Sequence, residues 1–129
     1  MFKQDEQVTP DVDVVTPVQN PEFRCLILEE SKERTKLTSG QLAVLSGKLV
    51  SDYMNEHCVK DVRGKAEFRV YDKDSKITGP WLEVIKKNPP QTLPWFYCTN
   101  GTKGTNGAVP KSKDAPAKFI QLIKPYAEP

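Results

Sequence analysis

The spacing of apolar positions changes several times along the chain, and each change marks an element. Residues 22–29, EFRCLILE, place apolar groups on both sides of an extended backbone, with Phe23, Cys25 and Ile27 on one and Leu26 and Leu28 on the other. Such a run predicts a central strand buried on both faces. The charged stretch 30–36, ESKERTK, follows as a connector. At Thr38 the period lengthens. TSGQ at 38–41 fits a capping box in which Thr38 caps and Gln41 reaches back, and Leu37 and Leu42 stand where a hydrophobic staple requires them. Leu42, Leu45, Leu49 and Tyr53 then form one helical stripe, widened by Val50 and Met54. The pattern predicts one long helix over about 39–57, ending near His57. Gly47 weakens it by about 1 kcal/mol relative to alanine.

Residues 65–71, KAEFRVY, alternate strictly. Ala66, Phe68 and Val70 face inward and Glu67, Arg69 and Tyr71 outward, which predicts a half-exposed strand. DKDSK at 72–76 is a turn. In the stretch 77–88, ITGPWLEVIKKN, Pro80 suits the first position of a short helix with Trp81, Leu82 and Ile85 on one face. An edge strand with Leu82 and Val84 inward competes with that reading. Pro89 and Pro90 end the element either way. LPWFYCT at 93–99 is aromatic and strand-like. TNGTKGTNGAVPKSK at 99–113 reads as a solvated glycine- and lysine-rich loop, and 114–126, DAPAKFIQLIKPY, as a short helix capped by Asp114 and stopped by Pro125. Phe119, Leu122, Ile123 and Tyr126 share one face of it.

Before the first strand, residues 1–21 contain Pro10, Pro17 and Pro21 and few large apolar groups. This composition predicts an extended acidic arm. Val8, Val12, Val14, Val15 and Val18 equip it to add onto a sheet edge or a partner. The expected organisation is therefore an arm at 1–21 and one domain at 22–129. The expected class is α+β: a small three- or four-stranded, mainly antiparallel sheet packed by the long helix and the short C-terminal helix.

A length of 129 residues agrees with a single domain, and 37% hydrophobic content leaves part of the chain outside a core. The net charge of +2 is too small to argue for a nucleic-acid partner, but its distribution is uneven. Residues 1–21 carry Lys3 against Asp5, Glu6, Asp11 and Asp13, whereas 99–129 carry five lysines against Asp114 and Glu128. Three cysteines, Cys25, Cys58 and Cys98, without CxxC spacing, argue against a disulfide framework and for reduced thiols. The acidic start lacks the apolar run of a secretion signal, and no run approaches the roughly 20 apolar residues of a membrane span. The expected setting is the cytoplasm or a virus particle, with no membrane partner.

Candidate chemistry is sparse. Gly101, Gly104 and Gly107 with Lys103 hold the ingredients of an anion cradle, but the spacing is not that of a P-loop or a dinucleotide fingerprint, and Pro110 blocks a following helix. His57, the single histidine, lies beside Cys58 at a helix end, and sequential neighbours on a helix point apart. Asp72 and Asp74 flank Lys73 in a turn without the glycine and distal glutamate of a calcium loop. No cofactor or metal is expected, and no nucleophile, base and orienting group can be assembled. The leading expectation is a non-enzymatic interaction or assembly protein that binds another protein or further copies of itself through its arm. An arm with a compact domain is a common plan of small viral and phage structural proteins, so a virion component is the most specific form of this expectation. The alternative is a nucleic-acid accessory protein using Lys86, Lys87, Trp95, Tyr97, Lys103, Lys111 and Lys113 as a cationic and aromatic face. A small inhibitor of a host enzyme would share the physics of the first reading.

Overall fold

The structure, a computed structural model, describes residues 22–128. The arm at 1–21 and its five valines lie outside the described residues. In chain order the elements are strand β1 (Arg24–Glu29), a 3-10 helix (Ser31–Lys36), helices α1 (Ser39–Ser46) and α2 (Lys48–His57), strand β2 (Phe68–Asp72), helix α3 (Pro80–Lys87), strands β3 (Trp95–Thr99) and β4 (Gly104–Ala108), and helix α4 (Ala115–Ala127). The α+β class holds. The four strands form one mixed sheet in the order β2-β1-β3-β4. β1 pairs parallel with β2, and the other two pairings are antiparallel.

The two-sided burial of β1 and β3 builds the core. Phe23, Cys25, Ile27, Phe96 and Cys98 pack beneath Val44, Leu45, Val50, Met54, Phe119 and Ile123 of α1, α2 and α4. Leu26, Leu28, Trp95 and Tyr97 meet Val84 of α3 on the opposite face, with Trp81 and Ile85 beside it. The sheet is thus covered on both sides, and the segment at 77–88 supplies the second cover as a helix with Pro80 at its start. Among the described residues no helix is long and apolar enough to cross a membrane.

Four expectations are corrected. The long helix is bent into two, because Gly47 takes an extended conformation (φ −82°, ψ 161°) that caps α1 and opens α2. The bend turns Leu49 outward to 57% exposure, while Val50 and Met54 remain in the core. The predicted loop at 99–113 contains a strand, since β4 pairs residue for residue with β3 from Thr99↔Gly104 to Trp95↔Ala108. Asp114 does not cap α4 through its side chain, which accepts instead from the Ser112 hydroxyl at 2.6 Å, and the helix runs past Pro125 to Ala127.

The fourth correction concerns the cysteines. Cys25 and Cys98 face each other across β1 and β3 and are joined by a disulfide, leaving Cys58 as the buried thiol. Their separation of 73 residues carries no spacing signature, and only the strand register brings them together. The capping box is present as read, with Thr38 Oγ1 accepting from the Gln41 N–H and the Gln41 side chain accepting from the Thr38 N–H.

Candidate interaction surfaces

The glycine-rich hairpin is a tight, internally bonded unit. Asn100 Oδ1 accepts from the N–H groups of Thr102 and Lys103, each at 2.9 Å. The Gly101 N–H, on a residue at φ 95°, donates to Thr99 Oγ1, which in turn donates to the Lys103 carbonyl. An anion cradle works by aiming unsatisfied backbone amides at a phosphate, and here the amides of 101–103 are already bonded within the turn. The turn serves to place β4, which closes the sheet on one side.

The two aromatic rings read together with the lysines from the sequence lie in the core. Lys86 and Lys87 occupy the last turn of α3. Trp95 and Tyr97 are 3% and 0% exposed, and Tyr97 meets Trp81 edge-on with ring centroids 6.3 Å apart. Trp95 Nε1 donates to Asn106 Oδ1 at 3.2 Å, tying β3 to β4. Rings held in a core are not available to stack on bases. Lys103 directly precedes β4, and Lys111 and Lys113 lie in the segment after it, where Lys111 lines the cleft beside the start of α1 and its carbonyl accepts from the Thr38 hydroxyl.

A cleft of about 530 Å³ opens at the end of β1, lined by Glu29, Glu30, Glu33, the start of α1 and the segment 90–94. Glu29 is 4% exposed and accepts two bonds from Arg34, from Nε at 2.8 Å and Nη2 at 2.6 Å. This bidentate bond pushes the Arg34 guanidinium pKa upward. Glu33 pairs with Lys36 at 2.6 Å and Glu30 with Lys73 at 3.9 Å. Each of these three carboxylates thus has a cation within ion-pair distance.

A smaller cavity of about 310 Å³ lies where the chain enters β1, lined by Glu22, Phe23, His57, Cys58, Val59, Asn100, Tyr126 and Ala127. The Tyr53 hydroxyl donates to Glu128 Oε2 at 2.7 Å, and His57 Nε2 lies 3.7 Å from the same oxygen. The Tyr53 and His57 rings are 4.2 Å apart. The cluster fastens the end of α2 to the end of α4. Burial pushes the Cys58 thiol up to about 12, and its sulfur sits 3.6 Å from Met54 Sδ. A thiol so disfavoured as thiolate is not a nucleophile at neutral pH. Asp72 is held low, at about 2, chiefly by the Ser31 N–H, and serves as a structural acceptor. Among the described residues no group of three His, Cys, Asp or Glu could hold a metal ion.

Three features escaped the sequence reading: the Glu29–Arg34 pair, the Tyr53–Glu128–His57 cluster and the disulfide. The first had a local signal, since a charged residue ending an apolar strand, five residues before an arginine, invites a pair. The others join segments 71 to 75 residues apart. Comparison with family models, with curated proteins and with solved structures finds no match.

Proposed function

We propose that this chain is a non-enzymatic interaction and assembly protein, docking through its acidic segment 1–21 onto a protein partner within a larger particle such as a virion. The observation that carries this reading is the sheet edge at β4. Its five residues include no charge and no proline, and its register with β3 runs without a bulge. Edge strands are ordinarily blunted by such devices, because an open edge invites another chain. The paired carboxylates of the cleft and the suppressed Cys58 thiol support the same reading from the chemical side. The test is sedimentation of the full chain beside a version lacking residues 1–21, with circular dichroism to confirm that both fold. Loss of the complex with retained folding is the expected result. A truncated chain that still enters the complex at full strength would sink the proposal.

A further inference from the structure

We infer that the seat of the docking segment is the outer edge of β4, and that its occupant is the stretch Asp11–Thr16 of a neighbouring copy, added as an antiparallel strand; this rests on the assembly reading above.

The hydrogen-bond phase of β4 shows what the edge offers. The Asn100 N–H bonds to the Lys103 carbonyl, and the Val109 N–H to the Pro94 carbonyl. Alternation between those two points directs Thr105 and Gly107 toward β3. It directs the N–H and C=O groups of Gly104, Asn106 and Ala108 away from it. Gly104 is itself buried, so Asn106 and the exposed Ala108 are the accessible positions. Among the described residues no strand lies beyond β4. The opposite edge, β2, is protected. It carries Arg69, paired with Asp61 at 2.9 Å, and Asp72, bonded to Ser31 at 2.7 Å.

Charge selects the occupant. Lys103, Lys111 and Lys113 bracket β4. A second β4 edge pairing antiparallel about Asn106 would bring Lys103 of one copy close to Lys111 of the other. An acidic strand avoids that repulsion. Residues 11–16, DVDVVT, are bounded by Pro10 and Pro17 and contain no proline, so six consecutive N–H donors span a length suited to the five residues of β4. Val12, Val14 and Val15 have strand character, and Asp11 and Asp13 supply the complementary charge. Main-chain pairing would give affinity and the lysine rim the choice of segment. Passed on in one direction the contact builds rings or filaments, and reciprocal exchange of the segment between two copies closes a pair.

The experiment uses the full chain. Equal amounts of ¹⁴N- and ¹⁵N-labelled protein are mixed and joined by a zero-length carbodiimide, and the linked peptides are read by mass spectrometry. Sedimentation is followed in parallel for the native chain, Ala108→Pro and Val14→Pro. Ala108→Pro removes an outward N–H while leaving the β3 bonds intact. Val14→Pro removes a donor from the arriving strand and lies outside the described fold, so it stays informative if Ala108→Pro does not fold. Expected are mixed-label links between Asp11 or Asp13 and Lys111 or Lys113, and self-association weakened at least about tenfold in both variants. Links of a single label only would overturn the neighbouring copy in favour of the chain's own segment. Association lost in Val14→Pro but unchanged in a folded Ala108→Pro would overturn the β4 seat and leave the assembly reading standing. Association lost in neither variant, or a native chain that neither self-associates nor enters a complex, would overturn the seat; only the last would also remove the assembly reading.

Discussion

Asp72 ends β2 and holds the start of the 3-10 helix, accepting from both the N–H and the hydroxyl of Ser31 at 2.7 Å and from the Asp74 N–H at 2.9 Å. Those donors favour the carboxylate, so its pKa falls to about 2 from an ordinary value near 3.9. A depressed folded-state pKa gives stability that is complete above the unfolded value and drains as pH falls through the folded one. Urea midpoints should therefore drop between about pH 4 and about pH 2, and Asp72→Asn should flatten that part of the profile. An unchanged slope in the variant would show that other carboxylates, such as Asp61 and Asp114, whose values are also lowered, dominate acid unfolding. At Cys58 burial works the other way and raises the pKa to about 12. The native protein should resist iodoacetamide near pH 8 while the denatured chain reacts. Rapid modification of the native form would mean that the site opens.

The clearest lesson about elements is the helix bent at Gly47. A capping box and an apolar stripe were both readable, and both segments are helical. What the stripe could not show is that its heptad-like continuity passes through a residue in extended conformation. A Cβ at Gly47 would lie 2.3 Å from the Ala43 carbonyl oxygen, a backbone atom that cannot step aside cheaply. Gly47→Ala should destabilise the fold by about 1–3 kcal/mol, because the clash with the Ala43 main chain is relieved only by shifting backbone, rather than rescue a straight helix. A chain equally or more stable in urea would show that the bend is optional. β1 was legible because its two apolar faces demand two covers, and α3 because Pro80 suits a helix start. β4 was not, since GTNGA lacks every strand-forming residue but one threonine. Its pairing is set by the turn at Asn100 and by the Trp95–Asn106 bond, neither of which leaves a periodic trace. The candidate site shared that fate. The lysines were visible, but their places before and after β4 required knowing that β4 is a strand.

Across the whole molecule, the disulfide joins the two central strands and divides the chain differently from its layers. Cys25 and Cys98 are fully buried between the sheet and the helices α1, α2 and α4, so their pair is part of the core. The bond also closes a loop spanning 73 residues of sequence, which contains the bent helix, β2 and α3. In the chain-entropy account, a cross-link over a loop of that length removes freedom from the unfolded state worth about 4 kcal/mol. Reduction should leave the strand order intact, because the register rests on the backbone pairing of β1 with β3 and on apolar burial at both faces. It should nonetheless lower the urea midpoint substantially, and a Cys25→Ala/Cys98→Ala chain should match the reduced protein with or without reductant. The denatured native chain should present one titratable thiol before reduction and three after it, one from Cys58 and two from the opened pair. Three thiols before reduction would mean that the strand register sets two thiols side by side without a bond. Stability would then be insensitive to reductant, and the fold would stand on its two apolar layers alone.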